Sequence, residues 1–164
     1  MIVIDIGNTN IVIGFYTKNK LNKIIRLKTE KKIKIAQKEI NKFFKSNKKF
    51  INNLKDKIFI LSSVVPSLNV IFKNIFQKNK FKFYVINSKK IPFRDNINYD
   101  LTQIGSDRIA NYAYVYSRKI KNCIIVDFGT ATTFDVIKSN QYSGGLIFPG
   151  INLSMDTLLK NAEL

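Results

Sequence analysis

A short motif occurs twice in this sequence, and its repetition constrains the fold more than any other feature. Residues 3–9 and residues 126–130 each place an aspartate at the end of an apolar run, followed by one apolar residue, a glycine and small polar residues. Further short apolar runs follow each copy, separated by residues typical of turns, which predicts antiparallel strands. A duplicated three-stranded unit followed by a helix predicts a protein of two related α/β lobes.

The elements predicted from the apolar periodicity differ in number between the two copies. For the first copy we expect strands at 1–6, 11–16, 21–27, 57–62 and 81–86, a loop at 91–103, and helices at 31–49, 67–77 (with Ser67 as its N-cap) and 105–119. For the second copy we expect strands at 123–126, 134–137 and 142–148 and a helix at 152–164. The sequence therefore predicts a first domain over 1–119 and a second over 120–164, with the second lobe incomplete.

The charge of the chain is strongly positive and unevenly distributed. Of the 28 Lys and Arg residues, 21 fall within residues 17–90, where there are three acidic residues, and the formal net charge of the whole chain is +17. A basic segment of this kind is compatible with a nucleic-acid or anionic partner. Nearly all of these bases are lysines scattered among Asn and Ile, without a helix-turn-helix or aromatic RNA-binding signature. The composition therefore favours a solvated surface over a nucleic-acid interface.

Composition also narrows the catalytic chemistry open to the protein and its expected place in the cell. The chain has no histidine, which excludes histidine-based catalysis and histidine-ligated metals. Its one cysteine, Cys123, lies in an apolar run and is expected to be a small core residue. No apolar run is long enough to span a bilayer, and Asp5 interrupts the first run, which argues against a signal peptide. We expect a cytoplasmic protein with no membrane association.

The two aspartate–glycine motifs share a possible chemistry. At Asp5 and at Asp127 the carboxylate ends a predicted strand, and the glycine that follows lets the backbone approach a ligand closely. Loop amides and threonine hydroxyls can then face phosphate oxygens, and a carboxylate can hold a cation that shields them. Each motif alone is more typical of a hairpin turn, but two copies, one per lobe, favour binding of a polyphosphate from both sides. The Gly-Lys-Ser/Thr of a P-loop is absent, and so are the accompanying motifs of a protein kinase.

A third candidate segment, Gly105-Ser106-Asp107-Arg108, opens a predicted helix. A carboxylate near a helix N-terminus is stabilised as the anion, so Asp107 is able to accept a proton from a substrate hydroxyl. The planar guanidinium of Arg108 can hold a carboxylate. The alternative is a plain capping arrangement in which Arg108 is solvated.

Taken in order, these segments resemble one known family. The resemblance rests on Asp5–Thr9 with Gly14, Ser62–Pro66, Gly105–Arg108, Asp127–Thr133 and Gly144–Gly150. This ordered set resembles the type III pantothenate kinases over the whole chain. The family belongs to the superfamily of acetate and sugar kinases, Hsc70 and actin, which implies an α/β fold of two ribonuclease H-like lobes, as in actin-like ATPases, with mixed sheets. It also implies ATP-dependent phosphorylation of pantothenate to 4′-phosphopantothenate, the first step of coenzyme A biosynthesis.

The resemblance further implies roles for individual residues. Those expected to bind ATP are Asp5, Ile6, Gly7, Asn8, Thr9, Asn10, Ile11, Val12 and Thr130. Those expected to contact pantothenate are Tyr99, Gly105, Ser106, Asp107 and Arg108, and Asp107 is the expected catalytic proton acceptor. Asp127 is the expected potassium ligand. The resemblance implies ATP with Mg²⁺, a monovalent cation (K⁺ or NH₄⁺) and a homodimer in the cytoplasm.

Other functions stay open at the level of sequence. The segment up to Leu164 ends near a family motif that normally precedes considerable further sequence. One alternative is therefore a catalytically inactive, shortened relative or an interaction protein. Another is an actin-like kinase that phosphorylates a different small molecule.

Overall fold

The computed structural model describes residues 1–18, 20–54, 57–87 and 91–161. The chain divides into two compact units, Met1–Ile86 and Asn87–Leu164. The predicted division of the domains after residue 119 stays a prediction, and the helix expected at 105–119 belongs to the second of these units. The last three residues of the helix expected at 152–164 lie outside the described residues.

The first unit contains all the elements expected for the first copy up to residue 86. Its strands and helices are β1 (Ile2–Ile6), β2 (Asn10–Thr17), β3 (Lys20–Lys28), α1 (Ile33–Ser46), α2 (Lys48–Asn52), β4 (Ile58–Ser63), α3 (Pro66–Lys78) and β5 (Lys82–Val85). The strands form one mixed sheet in the order β3-β2-β1-β4-β5. Antiparallel pairing of β1 with β2 and of β2 with β3 gives the predicted meander. Strand β4 pairs in parallel with β1 on one side and with β5 on the other.

The core of the first unit lies between this sheet and the helices α1 and α3. Alternate residues of β1, namely Ile2, Ile4 and Ile6, point into it and are fully buried, as expected for a strand with a period of two. From α1, Ala36, Ile40 and Phe43 face the same core at helical spacing. Aromatic rings fill much of the remaining space. Their centroids approach to 4.7 Å between Phe59 of β4 and Phe76 of α3.

Two local expectations were wrong in this unit. The helix expected at 31–49 is interrupted at Asn47, whose side-chain Nδ2 donates to the carbonyl of Phe43 at 2.9 Å and ends α1. The helix expected to start at Ser67 starts at Pro66, with Val65 as its N-cap. Proline suits the first helical position because its missing N–H would have no intrahelical partner there. Ser63, before the helix, supplies the hydroxyl that accepts from the N–H of Val65 at 3.1 Å.

The second unit begins with the stretch predicted as a loop, which contains two short 3₁₀ turns at Arg94–Asn96 and Leu101–Gln103. The elements that follow are α4 (Ser106–Ser117), β6 (Cys123–Phe128), β7 (Ala131–Lys138), β8 (Gln141–Pro149) and α5 (Ile151–Asn161). Strand β7 starts three residues earlier than expected, because Ala131, Thr132 and Thr133 already pair with β6 or β8.

The three described strands of the second unit form a sheet in the order β6-β7-β8, and both pairs are antiparallel. This sheet, followed by α5, repeats the arrangement of β1, β2, β3 and α1, so the predicted duplication is confirmed. The α/β class is confirmed as well, although the mixed pairing occurs in the first sheet and the described second sheet is purely antiparallel. Across the described ranges, we find no helix with the length and apolar character needed to cross a membrane.

Candidate active site

The first aspartate–glycine motif forms the tight connection between β1 and β2. The N–H of Gly7 donates to the carbonyl of Asn10 at 2.9 Å, which closes the turn. Thr29, which follows β3 and is buried, holds the loop through two hydrogen bonds. Its N–H donates to the carbonyl of Thr9 at 2.8 Å, and its hydroxyl donates to the carbonyl of Gly7 at 2.7 Å. The loop conformation is therefore set by the third strand and not by the loop residues alone.

The residues predicted to bind ATP fall into two groups here. Ile6 and Ile11 are buried core residues, so their side chains cannot reach a nucleotide and only their backbone could. Asp5, Asn8, Thr9 and Asn10 are exposed, whereas Gly7 and Val12 are half-buried, with Val12 opposite Asp5 in the sheet.

The second motif forms the equivalent connection between β6 and β7. The N–H of Gly129 donates to the carbonyl of Ala131 at 3.0 Å, and the loop is one residue shorter than its counterpart, since Phe128 pairs with Thr132 whereas Ile6 pairs with Ile11. Here too the third strand fixes the loop. The N–H of Gly150, just after β8, donates to the carbonyl of Thr130 at 3.0 Å. The two loops therefore share both their position and their support.

The predicted substrate segment starts helix α4. Gly105 is the N-cap in an extended conformation, Ser106 is the first helical residue, and Asp107 lies in the first turn. The Oδ1 atom of Asp107 accepts from the backbone N–H of Arg108 at 2.8 Å. Asp107 is half-buried, so its carboxylate is oriented by the helix backbone and is still open to solvent. A carboxylate held in this way is able to accept a proton from a bound alcohol.

Arg108 does not lie on the surface. It is buried, its Nε donates to Oδ1 of Asp135 at 2.7 Å, and its Nη2 lies 2.6 Å from the same oxygen. The hydroxyl of Tyr142 donates to that oxygen too, at 2.6 Å, and the guanidinium lies 6.0 Å from the centre of the Tyr142 ring. The planar fork expected to hold a substrate carboxylate thus holds a carboxylate of the protein itself.

Burial and charge act in opposite directions within this buried cluster of Arg108, Asp135 and Tyr142. Burial lowers the pKa of Arg108, but the hydrogen bond to Asp135 and its negative charge outweigh burial, so the pKa is raised. The pKa of Tyr142 is raised by its burial first, and then by its hydrogen bond to Asp135 and the charge of that carboxylate. The cluster therefore keeps a charged arginine and a neutral tyrosine over the physiological pH range.

Tyr99 and the paired glycines of β8 lie at the edge of this cluster. The Tyr99 ring packs edge-to-face on Tyr142, with 6.2 Å between the ring centres. Gly144 has a φ of 103°, and a side chain there would come within 2.8 Å of the Tyr99 ring. A side chain at Gly145 would overlap the carbonyl oxygen of Phe134 and lie 2.7 Å from Nη2 of Arg108. The two glycines are thus required by the close approach of Tyr99 and Arg108.

Asp127, the expected potassium ligand, is exposed at the end of β6. Its Oδ2 atom accepts from the side-chain amide of Asn111, on the second turn of α4, at 3.2 Å. Within the described ranges, no group of three or more carboxylate, histidine or cysteine side chains is placed to hold a metal ion.

The second unit gathers Tyr99, Asp107, Arg108 and Asp127 around α4, whereas the loop that follows Asp5 belongs to the first unit. Sequence reasoning missed Asp135 and Tyr142, which fix Arg108. The sequence did not mark Asp135, because it alternates with the apolar Phe134 and Val136, and this pattern favours a solvent-facing carboxylate. Only the structure shows that Asp135 is buried and therefore needs a partner.

The fold and the two loops define the class of protein. Solved structures with a similar fold include a Baf family protein from Campylobacter jejuni (TM-score 0.61, 24% identity, 99% of this chain and 61% of that chain) and a Ppx/GppA phosphatase from Aquifex aeolicus (TM-score 0.56, 15% identity, 96% and 54%). The class is an α/β fold whose two units each contain an antiparallel meander of three strands, and the chain shares its fold with these two solved structures.

A sequence model of the type III pantothenate kinases matches residues 1–164, and the chain belongs to this kinase family. Curated relatives include the type III pantothenate kinases of Borrelia garinii subsp. bavariensis (38% identity, 99% of this chain and 62% of the relative) and Geotalea daltonii (37%, 99% and 64%). A third is that of Pelagibacter ubique, with 39% identity over 99% of this chain and 64% of the relative. The chain thus spans somewhat less than two thirds of the length of these relatives.

Proposed function

We propose that this protein carries out the reaction that names its family, the phosphorylation of pantothenate by ATP in coenzyme A biosynthesis. The observation that carries the proposal is the family match over residues 1–164, which takes in both aspartate–glycine loops and the first turn of α4. Phosphoryl transfer depends mainly on positioning and charge stabilisation, and rigidly supported loops provide both.

The two loops are proposed to hold the phosphates of ATP. In the first loop, Asp5, Gly7, Asn8, Thr9 and Asn10 supply backbone and polar groups, while Ile6, Ile11 and Val12 contribute through the backbone. Thr130 acts from the second loop. The support from Thr29 and Gly150 favours this role, because a loop fixed before the ligand arrives loses little conformational entropy on binding. Mg²⁺, held by ATP and a carboxylate such as Asp5, would neutralise charge on the phosphates.

Asp107 is proposed as the proton acceptor. The primary hydroxyl of pantothenate donates its proton to the free oxygen of the Asp107 carboxylate, while the hydroxyl oxygen bonds to the γ-phosphorus and the bond to ADP breaks. The hydrogen bond from the Arg108 N–H to Oδ1 supports this assignment, since it fixes the orientation of the carboxylate.

Pantothenate is proposed to lie against the start of α4, in contact with Gly105, Ser106, Asp107 and Arg108, and against Tyr99. Because Nε and Nη2 of Arg108 both face Asp135, a substrate contact by this residue would use its backbone or Nη1. Asp127 is proposed to bind K⁺ or NH₄⁺. We also propose a cytoplasmic homodimer, as the family resemblance implies.

The test is a kinase assay of the purified protein with ATP, MgCl₂ and KCl, measuring phosphopantothenate directly. We expect turnover in the original protein and a loss of at least about a hundredfold in Asp107→Asn, in line with the usual contribution of a general base. Asp95→Asn, which changes an exposed carboxylate, is the matched control and should keep full activity. Full activity in Asp107→Asn would remove Asp107 from this role.

The same assay separates the proposal from its alternatives. Phosphorylation of another alcohol from a panel of small molecules, without phosphorylation of pantothenate, would indicate an actin-like kinase of different specificity. Binding of ATP without turnover on any acceptor would indicate a non-catalytic relative.

A further inference from the structure

The repeated unit of this protein has a buried face in its first copy and an exposed face in its second. Aligning Asp5 with Asp127 places Ile2, Ile4 and Ile6 opposite Ile124, Val126 and Phe128. The first three side chains are each 0% exposed, whereas the second three are 63%, 41% and 69% exposed. The same strand positions therefore lie in a core in one copy and face solvent in the other.

Apolar residues from all three strands of the second unit lie on one face of its sheet, and all of them except the half-buried Phe134 are exposed. Directly opposed residues of antiparallel strands lie on the same face, so Ile124 and Val126 lie beside Val136 and Phe134, and Phe134 lies beside Leu146. We call the surface formed by these side chains, together with Phe128 and Phe148, the open face. Monomeric proteins rarely expose large contiguous apolar surfaces without a partner.

The first unit shows what covers the equivalent surface. There, β4 pairs in parallel with the free edge of β1, and the helix α3 that follows β4 buries Leu68, Ile71, Phe72 and Phe76 in the core with the β1 isoleucines. In the second unit, β6 takes the place of β1, and among the described strands it pairs with β7 alone. Both the edge and the face that receive β4 and α3 in the first copy are thus open in the second.

Helix α5 leaves this surface open. It occupies the position of α1 in the repeat, yet every residue described in it is exposed, including Leu153, Leu158 and Leu159. Beside it lies an open hollow of about 570 Å³, lined by Pro149, Leu153, Thr157 and Leu158 among others. An amphipathic helix with this much exposed leucine needs a further apolar surface to pack against.

We propose that the open face and the free edge of β6 bind a strand–helix unit homologous to the last third of the family's chain. Its strand pairs in parallel with β6, as β4 pairs with β1, and its helix packs on Ile124, Val126 and Phe128, as α3 packs on the β1 isoleucines. The relatives have about a third of their length outside the region that this chain matches, which is ample for such a unit. The inference rests on the internal repeat and on family membership, and it is independent of the proposed kinase activity.

The test is co-expression of this chain with a separately tagged polypeptide that comprises the part of the Geotalea daltonii relative beyond the matched region. We expect the two to copurify as a 1:1 complex in the absence of ATP and pantothenate. Hydrogen exchange of the β6 amides should slow at least tenfold in the complex, because they gain hydrogen-bond partners, while exchange in β3 should not change.

Ile124→Lys places a charge on the open face at an exposed position, and we expect it to weaken the complex at least tenfold. Ile24→Lys is the matched control, since Ile24 is an isoleucine of β3, 45% exposed, in the other unit. Three results would overturn the proposal: no complex with the polypeptide, an equally strong complex with Ile124→Lys, or β6 protection that arises from self-association of this chain alone. Because neither substrate is present, an inactive enzyme would leave this test unaffected.

Discussion

At the scale of single residues, the buried cluster of Arg108, Asp135 and Tyr142 is the feature with the strongest energetic consequences. One carboxylate oxygen of Asp135 faces Nε and Nη2 of Arg108 and the hydroxyl of Tyr142, while Asp135 itself is 0% exposed. Buried charges of this kind contribute little net stability as a pair, but each becomes costly when its partner is removed. The cluster also joins the first turn of α4, which carries Asp107, to β7 and β8.

We expect Asp135→Asn to lower the free energy of unfolding by about 3 kcal/mol or more, because it leaves the Arg108 guanidinium buried without a counter-charge. Urea denaturation followed by circular dichroism measures the change. Asp95→Asn, at an exposed site, should stay within about 0.5 kcal/mol of the original protein. An equally small effect of Asp135→Asn would mean that Arg108 is not held by this carboxylate.

The raised pKa of Tyr142 predicts that the free energy of unfolding depends on pH in the alkaline range. Its pKa is raised above the ordinary value of 10.0 by burial and by Asp135, so the unfolded chain releases the tyrosine proton at a lower pH than the folded protein. The contribution of Tyr142 to the free energy of unfolding is therefore fully present below pH 10. It is lost as the pH rises further, by about 1.4 kcal/mol per pH unit.

The comparison that isolates this effect is Tyr142→Phe, which lacks the ionising hydroxyl. At pH 7 the variant should be less stable by about 1 kcal/mol, the usual net value of a hydrogen bond. Between pH 10 and 11 the free energy of unfolding of the original protein should fall towards that of the variant, because the variant has no tyrosine hydroxyl at this position to ionise. Urea titrations that give a constant difference between the two proteins up to pH 11 would contradict the raised pKa.

At the scale of elements, the pairing of β7 with β8 depends on glycine at one position. The backbone of Phe134 and the guanidinium of Arg108 both approach Gly145 so closely that no Cβ fits there. Gly145 thus serves the contact between two strands and a buried arginine.

We expect Gly145→Ala to reduce the free energy of unfolding by at least about 3 kcal/mol, since backbone atoms on the neighbouring strand have to move. Gly129→Ala is the matched control. A Cβ at Gly129 meets its nearest neighbour, the carbonyl oxygen of Ala131, at an ordinary 3.5 Å. Thermal unfolding of both variants distinguishes them, and equal midpoints would show that β7 and β8 separate easily.

At the scale of the whole molecule, the excess positive charge has to be accommodated. The lysines of α1, among them Lys34, Lys38, Lys42 and Lys45, are exposed on the helix, away from its buried Ala36, Ile40 and Phe43. A lysine-rich surface in contact with solvent requires this placement. That the surface is solvated and does not bind nucleic acid stays a prediction. Charges of one sign on a compact unit repel one another, and salt screens that repulsion.

We therefore expect the midpoint of thermal unfolding to rise by several degrees between 20 and 300 mM NaCl, because the Debye length falls from roughly 20 Å to about 6 Å over this range. The double variant Lys38→Glu/Lys42→Glu lowers the net charge by four and should show a smaller rise. Differential scanning calorimetry gives both values. A midpoint that is independent of salt in the original protein would show that the lysines do not destabilise it by mutual repulsion.

The order of the elements and the internal duplication were predictable from the sequence, because both depend on local periodicity and on turn residues. The two apolar–Asp–x–Gly motifs and the Gly105–Arg108 segment were visible for the same reason, and they pointed to the family that the chain belongs to. The break of the first helix at Asn47 was missed, since an asparagine is compatible with both a helix interior and a helix end.

What only the tertiary structure decided were contacts between residues far apart in the chain. Arg108 and Asp135 are separated by 27 residues, and Thr29 supports Gly7 from 22 residues away. No local pattern encodes such pairs, because they result from the packing of one strand or helix against another. Burial of β1 and exposure of β6 were settled in the same way, since two strands with the same apolar pattern differ in what covers them.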